Sequence, residues 1–330
     1  MLEHGGRLRA ASQRYDIPLD EWVDLSTGVN PCGWPVPSLP ADVWRRLPED
    51  DDGLEEAARI YYGTPHVLAI AGTQAAIQTL PSLRQPCRVG VLHPMYAEHA
   101  HGWRQNGHSV EAIAGVDIDA RCNDFDVVVL ANPNNPTGER FKSETLRRWR
   151  ERLHARDGWL VVDEAFADCD SSNSIAHETG SPGLIVLRSI GKFFGLAGIR
   201  AGFVLAEPAL LARLRTSLGP WSVSGPARWV TQRALADVAW QLETRAQLTH
   251  AAQRLRELLI TNGLSPIGGC ALFQWLPHEQ TAGLHDALAR KGILVRLFSD
   301  PPGLRFGLPG EEAHWRRLAE ALRNMRAPLP

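Results

Sequence analysis

Lysine is almost absent from this 330-residue chain: only Lys142, Lys192 and Lys291 stand against 32 arginines. Guanidinium fills nearly every cationic role, so a lysine kept among glycines and apolar residues needs a chemical reason. Excess charge of either sign is also missing. The formal net charge is -2, which excludes the cationic footprint of a nucleic-acid binder. No apolar run approaches the ~20 residues of a membrane span, and the opening MLEHGGRLRA has no apolar core of signal-peptide length. The five cysteines (Cys32, Cys87, Cys122, Cys169, Cys270) are scattered, odd in number and form no CxxC pair. That pattern predicts reduced thiols in a cytoplasmic protein and no zinc site. His99 and His101 lie two apart, on different faces of a helix, which argues against a metal. The one basic run, RRWRERLHAR at 147–156, reads as the solvated face of an amphipathic helix.

What is present is ordinary soluble-protein composition, 44% hydrophobic and 22% charged, with length for one large domain or two unequal ones. Strand-like runs recur at 67–72, 88–94, 125–133, 158–166, 183–190 and 199–207, with helical stretches at 74–83, 96–107 and 143–156 between the earlier ones. Unbroken β-branched runs alternating with helices predict an α/β domain with a mostly parallel sheet covered on both faces. Beyond residue 224 the texture changes to a long helical stretch (224–262), short strands and a final helix (311–325). The expected division is a large domain at 46–224 and a smaller α+β domain from 225–330 with the N-terminal arm 1–45.

In such sheets ligands bind beyond the carboxyl ends of the strands, and the residues there are informative. Gly72 and Thr73, followed by Gln74, open a helix whose free N–H groups favour an anion such as phosphate. Asn135, in ANPNNPTG at 131–138, sits in a strong turn where its carboxamide can donate to a ligand oxygen. Asp163 ends a buried strand and needs a partner. Lys192 follows the strand 183–190 and joins them on one edge. Covalent capture of an aldehyde needs an amine that can lose its proton, which arginine cannot do. Phosphate anchor, amide, buried acid and lysine together describe a pyridoxal 5'-phosphate (PLP) site. In it the acid keeps the pyridine nitrogen protonated, and Ser189 and Arg200 complete the phosphate cup.

NPNNPTG, DEAF and SxxKxxGLAGxRxG, in this order and spacing, resemble the fold-type I, aspartate-aminotransferase-like superfamily of PLP enzymes. The resemblance spans essentially the whole chain. It implies that Lys192 carries the cofactor, that Asp163 and Asn135 hold its ring nitrogen and hydroxyl, and that Tyr96 stacks on the ring. It also implies that Arg305 grips a substrate carboxylate in a homodimer with active sites at the interface. Within the superfamily the chain is similar to the histidinol-phosphate aminotransferases. It is more closely similar to the L-threonine O-3-phosphate decarboxylases of cobalamin biosynthesis, through HGG (4–6), LSTGVNPCG (25–33, with Asn30), PWSVSGPA (220–227) and PGLRFG (302–307). Two positions depart from the usual pattern. Phe166 replaces a tyrosine common in aminotransferases, and Leu47 stands where a tyrosine usually reaches the partner subunit's cofactor phosphate.

The cofactor motifs alone do not select the reaction, which depends on how carboxylate and phosphate are held. Arg296 and Arg305, with His4 from the arm, suit a substrate bearing two anionic groups. The reading is therefore decarboxylation of L-threonine O-3-phosphate to (R)-1-amino-2-propanol O-2-phosphate; histidinol-phosphate aminotransfer is the alternative. A PLP-sensing regulator would need a further winged-helix domain, for which there is no room before residue 25.

Overall fold

The computed structural model describes residues 4–326, the side chain of Arg326 excepted. Its strands in chain order are β1 (Val23–Leu25), β2 (Val67–Ile70), β3 (Arg88–Leu92), β4 (Ser109–Ile113), β5 (Val127–Ala131), β6 (Trp159–Asp163), β7 (Leu184–Ser189), β8 (Gly202–Ala206), β9 (Gly268–Cys270), β10 (Phe273–Pro277), β11 (Ile293–Ser299) and β12 (Pro302–Gly307).

The chain forms two compact units. The larger comprises Trp34–Asn135 and Arg140–Leu242; the smaller takes the residues up to Gly33, Pro136–Glu139 and those from Glu243 onward. These boundaries differ from the 45/46 and 224/225 expected, and the contacts explain why. The Trp34 N–H donates to the Phe194 carbonyl at 2.9 Å, and its indole donates to Asp237 at 3.0 Å. Arg228, on the helix Gly225–Ala236, grips Asp52 through two bonds of 2.6 and 2.8 Å. Both the 34–45 segment and that helix are thereby held in the larger unit.

The larger unit is built on a seven-stranded sheet of order β2-β8-β7-β6-β5-β3-β4. Pairings among β4, β3, β5, β6 and β7 are parallel; β8 runs antiparallel to both β7 and β2. Strands β5, β6, β7 and β8 are buried at every position, which is why they read as continuous apolar runs. One covering helix, Ser143–His154, buries Leu146, Trp149 and Leu153, spaced for a single face. Its basic face is spent on pairs within the unit: Arg147 on Glu178 at 2.6 Å, Arg148 on Asp119 at 2.8 Å, and Arg152 on the Asp119 carbonyl at 2.6 Å.

The smaller unit carries a five-stranded sheet of order β1-β11-β12-β10-β9. The helical stretch expected over 224–262 is two helices, Gly225–Ala236 and Val238–Thr261. Asp237 breaks it, and its carboxylate accepts the Trp240 N–H at 3.1 Å, as an N-cap does. Among the described residues no helix is long and apolar enough to cross a membrane. No disulfide is present among them either.

Candidate active site

The register of the large sheet assembles one edge. Gly202, at the start of β8, pairs with Ile70 at the end of β2 and with Ser189 at the end of β7. Because β8 is antiparallel to both, its first residue lies beside their last ones. That places the turn after β2 (Gly72, Thr73), Ser189 and Arg200 together. Gly72 has φ +76°, and a Cβ there would come within 2.6 Å of the Arg200 guanidinium. The missing side chain thus lets the guanidinium lie against the turn that opens the helix Thr73–Thr79. Arg200 is itself held with φ +55°, a left-handed conformation few non-glycine residues adopt. The Ser189 hydroxyl accepts the Gly191 N–H at 3.2 Å. A glycine cradle with a cation, a hydroxyl and helix-opening N–H groups fits a phosphate.

On the strand next to β7, Asp163 ends β6 and pairs across the ladder with Ala131 of β5 and Leu187 of β7. It is 6% exposed, enough burial to demand partners. One oxygen accepts the Ala165 N–H at 3.0 Å, and the other lies 2.9 Å from Nε2 of His99. His99 is buried and was discounted as a metal ligand on sequence. Among the described residues no cluster of His, Cys, Asp and Glu is placed to hold a metal. The loop bearing Asn135 is pinned by its neighbours: Asn132 exchanges two 3.0 Å bonds with the Phe141 backbone, and Asn134 donates to the Pro94 carbonyl at 2.8 Å.

Lys192 is half-buried after β7, and its Nζ lies 5.4 Å from the centre of the Phe166 ring. Two residues to either side of Phe166 in the chain, Glu164 and Asp168 belong to a buried ion cluster that the sequence did not disclose. Arg188 of β7 binds Glu164 at 2.6 Å and also Asp168, and its guanidinium lies 4.7 Å from the Tyr62 ring centre. Burial opposes its charge, but the two carboxylates outweigh that and hold its pKa well above the usual value. Tyr96 donates to the Gln74 carboxamide at 3.2 Å, a contact made by the Gln74 side chain. Burial, with Glu98 and Asp163 adding to it, pushes the Tyr96 phenol up to about 12.

The remaining expected residues belong to the smaller unit. Arg296 of β11 and Arg305 of β12 are direct cross-strand partners, so their side chains share one face. Arg305 is buried and donates to the Ser26 carbonyl at 2.7 Å. Burial first, and then the neighbouring Arg296, pull its pKa down to about 10, the mark of a buried cation beside a like charge, which an anion would relieve. Burial first, and then Arg14, depress His285; Asp286 opposes this and Arg296 adds to it. The arm docks on the same segment: the Gly6 N–H donates to the Ser26 hydroxyl at 2.7 Å, and a Cβ on Gly5 would fall 2.4 Å from the Ser26 carbonyl. His4, next to Gly5, is exposed, and Asn30 is buried with its carboxamide accepting the Cys32 N–H at 2.9 Å. Leu47, 64% exposed, belongs to the larger unit.

A lysine, a buried acid, a carboxamide and a phosphate cup on one edge of a mostly parallel sheet define a fold-type I PLP enzyme. The chain belongs to the aminotransferase class I and II family, whose model matches residues 48–322. It is 55% identical to a threonine-phosphate decarboxylase of Pseudomonas aeruginosa over 99% of both chains, and 41% identical to one of Sinorhizobium sp over 98% of both. Its fold matches that of a histidinol-phosphate aminotransferase of Sinorhizobium meliloti, solved with pyridoxal-5'-phosphate. The TM-score is 0.83 at 19% identity, covering 98% of this chain and 95% of that one.

Proposed function

We propose that the chain is a PLP-dependent decarboxylase of L-threonine O-3-phosphate, serving cobalamin biosynthesis. The observation that carries this reading is 55% identity along the whole length to a threonine-phosphate decarboxylase, together with a cradle suited to the cofactor's phosphate. When bound, PLP supplies the electron sink that takes the pair left as the carboxylate departs. The protein supplies the rest. Gly72, Thr73, Ser189 and Arg200 would hold the cofactor phosphate. Asp163 would hold a proton on the pyridine nitrogen, and Asn135 would bond the ring hydroxyl. Lys192 Nζ would bind the cofactor covalently and deliver a proton to the carbon that loses carbon dioxide.

Arg305 and Arg296, with His4 and Asn30, would hold the substrate's carboxylate and phosphate, and their grip decides which bond stands ready to break. We further propose a homodimer acting in the cytoplasm, the location expected from the scattered cysteines. Exposed Trp44 (68%), Leu47 (64%) and Trp221 (59%) support an interface, since large apolar side chains cluster where partners dock.

The test is direct. L-threonine O-3-phosphate should release one carbon dioxide per molecule and leave a primary amine, with no 2-oxo acid required. Borohydride should fix PLP on Lys192, and Lys192→Ala should lose that adduct. Glutamate formed readily from histidinol phosphate and 2-oxoglutarate, with threonine phosphate left intact, would replace this reading by the aminotransferase one.

A further inference from the structure

Tyr96, Gln74 and Glu98 form a hydrogen-bonded chain whose direction is forced. Glu98 opens the helix Glu98–Gln105, and Gln74 lies in the first turn of the helix Thr73–Thr79. The Gln74 Nε2 donates to Glu98 Oε2 at 3.0 Å, and the Tyr96 hydroxyl donates to Gln74 Oε1 at 3.2 Å. A carboxylate accepts and cannot donate. Glu98 therefore fixes the amide group of Gln74 toward itself, which leaves only the carboxamide oxygen facing Tyr96. The phenol's single proton is then committed to Gln74, and its oxygen can only accept from any other neighbour. The Tyr96 ring meets His99 edge-on at 6.2 Å, and His99 bonds Asp163. One connected set thus runs from the helix that opens the phosphate cup to the acid at the end of β6.

We propose that Glu98 is a positioning residue for Tyr96: acting through Gln74, it fixes the phenol's proton and holds the ring as a platform against the cofactor. The proposal rests on the PLP reading above. It distinguishes two effects of opposite sign. A carboxylate near the cup repels a phosphate, so its removal by charge alone tightens PLP. Loss of the forced direction lets Gln74 turn over and loosens the platform, so PLP weakens.

Glu98→Gln separates the two, because it keeps the size while replacing an acceptor-only carboxylate by a carboxamide that can donate as well as accept and so no longer forces the direction. In the full chain loaded with PLP we expect about five-fold weaker retention, the scale of one neutral hydrogen bond, and a shifted visible band. In a Tyr96→Phe background, where no phenol proton remains to be directed, the same substitution should no longer weaken retention or shift the band; only the charge effect, a tightening, is left. Equal effects in both backgrounds, or tighter PLP or no change in the parent, would each overturn the relay. Borohydride labelling of Lys192 in the parent tells the two failures apart: without it the PLP reading falls and the relay with it, whereas with it the relay alone falls.

Discussion

In the proposed function Asp163 would act through the proton it keeps on the pyridine nitrogen, and His99 would help to aim its carboxylate. The acid is buried, and the imidazole 2.9 Å away occupies the oxygen that the Ala165 N–H does not. A charge contact that strengthens as the reaction proceeds is worth several kcal/mol of barrier, on the order of 10²–10³ in rate. Asp163→Asn should keep the fold and lose turnover on that scale, measured as carbon dioxide release. His99→Asn, which leaves the charge but loosens its orientation, should lose about ten-fold, the scale of one charge-assisted bond. Near-parental turnover in Asp163→Asn would make the residue structural. Lys192 itself was legible from composition and strand position. The environment of its amine, over the Phe166 ring, was not, nor was the Arg188 cluster, since Arg188 meets Glu164 and Asp168 only in the folded chain.

At the level of elements, fully buried strands announced themselves and the edge strand did not. β4 is mostly exposed along SVEAI, so it has no apolar run to find, yet it pairs in parallel with β3 over five residues. The break at Asp237 was missed for a related reason, because one polar residue between two helical patterns looks like a solvated position until Trp34 and Trp240 bond it. The helix Gly225–Ala236 is tied to the segment before helix Leu54–Tyr62 by Asp52 and Arg228. Burial opposes ionisation of Asp52, but Arg228 and the Leu54 N–H outweigh it and hold the carboxyl below its ordinary range. A depressed carboxyl contributes stability above its unfolded pKa of 3.8, and that stability is lost as pH falls through the lower folded value. Asp52→Asn should therefore cost about 1–2 kcal/mol at neutral pH, a figure discounted because the aspartate is part-exposed. The variant and the parent should converge in acid. Urea unfolding at pH 7 and at pH 3 measures both, and a gap that stays constant with pH would rule out the charge pair as its source.

For the molecule as a whole, the assembly is a property no single residue announces. A homodimer should run at twice the 36.4 kDa chain mass in light scattering, and Trp44→Asp should shift it toward one chain per particle. A parent that stays at one chain would remove the interface reading while leaving the cofactor chemistry untouched. The sequence by itself determined the α/β class and the placement of Gly72, Asn135, Asp163 and Lys192 at or just past the ends of buried strands. These follow from local properties: unbroken apolar runs, turn residues just past them, and a side chain whose chemistry no other cation can supply. Only the tertiary structure decided who stands beside whom: His99 on Asp163 across 64 positions, Gln74 on Glu98 across 24, and Arg296 opposite Arg305. Such pairs are set by register and packing between segments far apart along the chain, and no local pattern encodes them.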